Sequence, residues 1–337
     1  MHLEGTVLRG PEFEPVEGRV VVDDGEIAAV EEESVESDDV VLPAFVNAHT
    51  HIGDAIAKEA GAGLDLDDLV APPDGLKHRL LRAASREEKV EAMRRAMRVM
   101  AATGTGTFLE FREGGVEGVY ALREAAQGVD VEPFLFGRGD ADVLEVADGY
   151  GASGARDGEF GPQRKAAGKL EKPFAIHAGE RDSADINPAL DLGPDLLVHM
   201  VHAEGLHLDR VEDSHVPVAV CPRSNLVTGV GLPPVEELFE RTTLALGTDN
   251  VMLNSPSMFR EMEFTAKLFD VSALDVLRMA TVAGAEAVGL NRGVVEPGRD
   301  AKLLVLDGDS DNLSGAQDLI RAVVRRAGAA DVKEVVL

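Results

Sequence analysis

Two histidines one residue apart, His49 and His51, close the stretch Pro43-Ala44-Phe45-Val46-Asn47-Ala48-His49-Thr50-His51. Side chains along a β-strand alternate between its faces, so residues at i and i+2 point the same way and two imidazoles in that spacing can grip one ion. Val40, Val41, Leu42, Phe45 and Val46 make this segment read as a buried strand. Imidazole suits zinc and iron, but two ligands are too few, and the rest of the chain must supply the others. His177 follows the apolar run Pro173-Phe174-Ala175-Ile176, His199 follows Leu196-Leu197-Val198, and Asp249 ends Leu244-Ala245-Leu246-Gly247-Thr248. Each stands at the end of a strand-like run. A single histidine in a strand is more often a satisfied core residue than a ligand; donors at four strand ends point to a metal site once one sheet gathers those ends.

The elements that must position them alternate in type. Strand-like runs at 103–111, 131–136, 143–147 (weak), 173–177, 196–199, 216–220 and 243–249 follow the His49/His51 strand, with helical stretches between them. Eight strands over some 250 residues match a (β/α)8 TIM-type barrel, whose active site sits at the C-terminal strand ends. Ser85 and Glu88 form a capping box, and Val90, Met93, Met97 and Met100 share one helix face as core residues rather than as ligands. The segment from Asp54 to Ala84 is too long for an ordinary connection and is a candidate lid. Short runs near the N-terminus, with 301–307 and 332–337 at the C-terminus, predict a small β-sandwich domain built from both termini. The expected division is 1–43 with 292–337 for that domain and 44–291 for the barrel.

Acidic residues number 61 against 33 basic ones, a formal net charge of −28, and arginine far outnumbers lysine. Such a surface repels nucleic acid and anionic membranes. It also fits a halophilic protein, because concentrated salt screens the self-repulsion. The single cysteine, Cys221, excludes an internal disulfide and suits a reducing compartment. With no run of eighteen apolar residues and no basic-then-apolar leader, the expected location is cytoplasmic. The expected partner is a small-molecule substrate, with self-association left open.

The motifs "PAFVNAHTHIGD", "FAIHAGE", "LLVHMVHAEGL", "VAVCPRSN", "LALGTDN" with "SMFREMEF", and "ATVAGAEAVGL" with "VVEPGRDAKLLVLD" resemble the amidohydrolase superfamily over essentially the whole chain. Within it they resemble the metal-dependent aminohydrolases that deaminate nucleobases, nucleosides and related heterocycles. The resemblance implies His49, His51 and His177 as imidazole ligands of one divalent ion, zinc or iron, with Asp249 as the fourth group and the acceptor of a proton from metal-activated water. It implies Glu180 as the proton shuttle to the ring nitrogen and the departing ammonia, and His199, rather than His202, as a contact to water or substrate. The lysine that bridges two metals in some relatives has no counterpart between Val143 and Ala152, which favours one metal. Cys221 has no base near it in sequence and reads as part of a bracing loop.

Specificity is expected from the long first loop and from polar groups at strand ends: Lys77, His78, Arg138, Arg223 and Asn250. An arginine there could pair with a substrate carboxylate or phosphate. Glu110, on the second strand, has no assigned role but could face the pocket. Two other readings share these motifs. A mononuclear hydrolase of a cyclic amide or another C–N bond would use the same site without releasing ammonia, and an inactive metal-binding scaffold would be marked by lost ligands, all of which are present here.

Overall fold

The structure, a computed structural model, describes residues 1–337. Four strands open the chain: β1 (His2–Arg9), β2 (Glu14–Asp23), β3 (Glu26–Glu32) and β4 (Val40–Pro43). Asp23-Asp24-Gly25 turns the β2–β3 hairpin, with Asp24 and Gly25 both at positive φ, as such tight turns require. The parallel set follows: β5 (Phe45–His51), β6 (Thr105–Arg112), β7 (Glu132–Gly137), β8 (Gly149–Ala152), β9 (Phe174–Ala178), β10 (Leu196–His199), β11 (Val218–Val220), β12 (Leu244–Leu246) and β13 (Asp249–Asn250). β14 (Leu303–Leu306) and β15 (Val332–Val336) return to the N-terminal strands.

The parallel strands run in the order β12-β11-β10-β9-β8-β7-β6-β5-β13. β12 and β13 are one strand bent at Gly247-Thr248, and β13 pairs with β5 through Asp249 opposite Thr50, so the sheet curls into a TIM-like barrel. Asn47 staples the seam: its Nδ2 donates to Thr248 Oγ1 at 2.7 Å and its Oδ1 accepts from Thr248 N at 3.0 Å. Bending the last strand therefore delivers Asp249 beside the His49/His51 strand.

The fourth strand differs from expectation. Residues 141–145 form a single 3-10 turn, and the strand is Gly149-Tyr150-Gly151-Ala152. A Cβ on Gly149 would lie 2.7 Å from the Phe136 ring, and one on Gly151 2.6 Å from the Phe111 ring. Close approach of large neighbours replaces the β-branched residues that ordinarily mark a strand.

The termini contribute one six-stranded sheet, β15-β14-β4-β1-β2-β3, hydrogen-bonded throughout, where two facing sheets were expected. Its period-two alternation serves two cores. Leu3, Val7, Val20, Ile27, Val41, Leu303 and Val305 pack in a cluster of their own, whereas Leu8, Val40, Leu42, Leu304 and Leu306 join the large core that runs under the barrel helices.

The segment after β5 is folded rather than irregular. A 3-10 turn (Ile52–Ala57) leads to helices Leu66–Val70 and Leu76–Ala83. They rest on a satellite cluster of Ala57, Leu69 and Met252, separate from the main core. The Ser85/Glu88 capping box then starts the helix Arg86–Ala102, which buries Val90, Met93, Met97 and Met100 as its spacing requires.

Candidate metal and catalytic centre

His49 and His51 emerge on the same face of β5, His177 lies on β9, His199 ends β10 and Asp249 opens β13, and all five are buried. His51 Nε2 stands 3.3 Å from His177 Nε2. Asp249 Oδ1 is 3.2 Å from His49 Nε2 and 3.7 Å from His51 Nε2. His199 and Asp249 take up positive φ angles, +77° and +55°. Such a backbone costs about 1–3 kcal/mol per residue outside glycine and is kept where the fold over-determines it.

The donor set fits a divalent ion. His177 Nδ1 lies 2.8 Å from the Ala152 carbonyl and His51 Nδ1 3.1 Å from the Phe111 carbonyl. A carbonyl only accepts, so each Nδ1 carries the proton and each Nε2 turns a lone pair inward. Two lone pairs 3.3 Å apart repel unless a cation lies between them. His49 adds two buried ring nitrogens with no hydrogen-bond partner. Burial holds all three rings neutral: His49 and His177 are depressed below the ordinary histidine value, and His51 falls to about 3, with the Lys77 ammonium assisting burial there.

Glu180 follows His177 by three residues and is placed where the chain turns over the centre, its Oε2 3.5 Å from His199 Nε2. Burial raises its pKa above the ordinary value, against the pull of His199. Donor atoms of Glu180, His199 and Asp249 all lie within 4.8 Å of one another. Two residues of "CPRSN" that were assigned no contact meet these groups. Ser224 Oγ donates to Asp249 Oδ2 at 2.5 Å, and the Asn225 amide reaches His199 Nδ1 at 3.3 Å. They sit in the first turns of the helix Pro222–Thr228. Cys221 is buried at the start of that helix, and burial pushes its thiol well above the ordinary range.

The centre opens to a cavity of about 110 Å³. Lys77, Arg138 and Asn250 line it, together with His51, His177, Glu180, His199 and Asp249. His78 and Arg223, expected at the substrate, stand elsewhere. Successive helical residues point about 100° apart, so with Lys77 turned inward His78 turns away, its Nε2–H donating to the Val70 carbonyl at 3.1 Å. Arg223 is buried against Glu261, its Nε 2.6 Å from Oε2, while its backbone N–H donates to the other carboxylate oxygen at 3.0 Å. Glu110 does not reach the cavity. It is fully buried behind β5, accepting from Thr50 Oγ1 and from Ile52 N at 2.8 Å each. His202 and His207 do not line the cavity either.

Glu113, just after β6, has no sequence signal beyond its charge, yet it is a hub. Its Oε1 lies 2.8 Å from Lys77 Nζ, 3.0 Å from Arg138 Nη1 and 3.4 Å from His51 Nδ1. No helix is long and apolar enough to cross a membrane.

Comparison with known proteins agrees with this architecture. An aminohydrolase, provisionally so named, of Methanothermobacter thermautotrophicus is 36% identical over 352 residues, covering 90% of this chain and 90% of the relative. The 5-methylthioadenosine/S-adenosylhomocysteine deaminase of Haloarcula marismortui is 27% identical over 98% of this chain and 90% of its own length. Among solved structures, the zinc complex of an atrazine chlorohydrolase from Arthrobacter aurescens superposes with a TM-score of 0.82 at 18% identity, covering 100% of this chain and 93% of that one. A zinc-bound adenosine deaminase from Xanthomonas campestris gives 0.78 at 19% identity, covering 100% and 91%. These two show the fold alone. The amidohydrolase family matches residues 40–145 and 163–337, and the chain belongs to that family of hydrolases acting on carbon–nitrogen bonds.

Proposed function

We propose that the protein is a metal-dependent aminohydrolase that deaminates a heterocycle of nucleobase, nucleoside or pterin type. The observation that carries this reading is the joint placement of Glu180, His199 and Asp249 around three neutral imidazoles. His49, His51 and His177 hold one divalent ion, zinc or else iron, with Asp249 as the fourth protein group. When bound there, the ion polarises a water molecule and lowers its pKa towards neutrality.

The chain's own residues then divide the proton work. Asp249, fixed at Oδ2 by Ser224, takes a proton from the water as its oxygen adds to the carbon bearing the amino group. Glu180, whose carboxyl burial shifts towards the protonated form, delivers its proton to the neighbouring ring nitrogen, so that the tetrahedral adduct itself carries no charge. The proton taken up from water passes to the amino nitrogen, the C–N bond breaks and ammonia leaves, and as the carbonyl forms the proton of the added hydroxyl returns to Glu180. His199 donates to, or accepts from, the oxygen on the attacked carbon.

Ammonia release from a panel of aminated purines, pyrimidines and pterins, with their nucleosides, tests the reading. Release with one compound class, lost in Glu180→Gln, supports it. Hydrolysis of a cyclic amide without ammonia would replace it with ring opening at the same centre.

A further inference from the structure

The cavity has two chemically distinct sides. The proposed reaction side comprises β5, β9, β10 and β13, which present the histidines, Glu180 and Asp249. The other side, over the ends of β6, β7 and β8, carries Arg138 and, reaching in from the helix Leu76–Ala83, Lys77; Arg156 stands at its rim. No phenylalanine, tyrosine or tryptophan lines the cavity. Its larger apolar lining residues, Leu66, Val70, Pro72 and Leu253, belong to the segment above the site and to the loop after β13. Discrimination among substrates therefore falls chiefly on polar contacts.

We propose that Lys77 and Arg138 form an anion subsite, so that the substrate is an amino-heterocycle bearing a carboxylate or phosphate group. This rests on the deamination reading for the other half of the substrate. Lys77 has only 4% of its side chain exposed, and that remainder faces the cavity. Its ammonium is set by Asp54 Oδ2 at 2.9 Å and Glu113 Oε1 at 2.8 Å, which leaves one of its three donors free. Arg138 shares the same Glu113 oxygen through Nη1 and makes no other side-chain hydrogen bond, leaving most of its fork unspent. Arg112 also leans on this carboxylate, its Nη2 3.7 Å from Glu113 Oε2.

Asp54 and Glu113 offset the cost of burying this ammonium, so what it offers a ligand is its remaining donor, which binds an anion more strongly than a neutral group. Arg156 and Arg181 also line the cavity but are paired, Arg156 with Asp182 and Asp185 and Arg181 with Asp67, and Asp157 lines it as well, so the subsite is confined to Lys77 and Arg138. Glu113 pre-sets both of them before a ligand arrives, so their geometry need not be ordered on binding. An incoming carboxylate or phosphate accepts from the Arg138 fork and from the free Lys77 donor, and these charge-assisted bonds fix the ring over the centre.

The test pairs neutral amino-heterocycles with their anionic counterparts in the metal-loaded protein: nucleosides against nucleoside 5′-monophosphates, and aminopyrimidines and aminopterins against their ring carboxylates. Wild type, Arg138→Gln and Arg138→Lys are compared. Two readouts are taken, KM from ammonia release and the rise in unfolding temperature caused by each compound. The subsite predicts a KM about 10–100-fold lower for the anionic member of a pair, the worth of one or two charge-assisted hydrogen bonds. That preference collapses in Arg138→Gln and is partly restored in Arg138→Lys. The phosphate and carboxylate arms show which anion is meant.

Equal KM values within pairs, or a preference that survives in Arg138→Gln, overturn the subsite while leaving deamination standing. Thermal protection by anionic compounds that needs Arg138, with no ammonia from any of them, keeps the subsite and refutes deamination. Neither ammonia nor protection from any anionic compound overturns the subsite. Should Arg138→Gln fail to fold, the wild-type comparison decides.

Discussion

Glu180 Oε2 faces His199 Nε2 across 3.5 Å, and both stand within reach of Asp249. In the proposed reaction these are the acid, the hydrogen-bonding imidazole and the base. Glu180→Gln keeps the size of the side chain but cannot transfer a proton, so kcat should fall by about 10²–10⁴-fold. Metal content, measured by elemental analysis, should stay unchanged, because Glu180 is not among the proposed ligands.

Ser224 fixes one oxygen of Asp249 and leaves the other towards His49 and His51. Ser224→Ala should lower metal affinity or activity by about 10–100-fold, the usual cost of losing a group that orients a metal-site residue. Metal titration of the chelator-stripped variant against wild type checks this. Equal affinity and equal kcat would show that the 2.5 Å contact does not orient the carboxylate.

The Arg223–Glu261 pair anchors the helix that carries Ser224 and Asn225. Removing one member leaves an unpaired buried charge, so Glu261→Ala should destabilise the fold by about 3–5 kcal/mol, read from chemical unfolding. It should also depress activity in whatever fraction remains folded.

Glu110 offers a pH prediction away from the reaction. Burial, opposed by Arg112, pushes its pKa up to about 8 from the model-peptide value of 4.5. Between those values the folded chain holds a proton that the unfolded chain has released, so this group's contribution to stability declines as pH rises through that window. Glu110→Gln cannot titrate, so its stability relative to wild type should rise from pH 5 towards pH 8. Denaturant midpoints of both proteins across the window check the sign, and parallel curves would refute it.

The net charge of −28 predicts a fold that strengthens with salt. Thermal unfolding followed from dilute buffer to molar potassium chloride should move upward as screening removes self-repulsion. No upward movement would remove the halophilic reading.

The centre was legible because its spacing is local. His49 and His51 share a face by the two-residue period of a strand, and His177, His199 and Asp249 each end an apolar run. Three other features rest on contacts that no spacing encodes. Glu113 gains its meaning only when the helix Leu76–Ala83 brings Lys77 beside it, and Ser224 only when the bend at Gly247-Thr248 brings Asp249 back. Arg223 looked like a pocket arginine because "CPRSN" lies beside the site, but neighbouring residues on a helix face different ways, and Glu261 claims it. The fourth strand was misplaced for a similar reason: Gly149-Tyr150-Gly151-Ala152 is a strand because Phe111 and Phe136 need the space.

The central claim is that one metal ion, held by His49, His51, His177 and Asp249, makes this chain a deaminase. The most direct test titrates zinc into chelator-stripped protein while following ammonia release from the best substrate of the panel. The account predicts no release at the start, a linear rise, and a plateau at one equivalent per chain. Release that persists in the stripped protein, or a protein that takes up zinc and never frees ammonia, would contradict it.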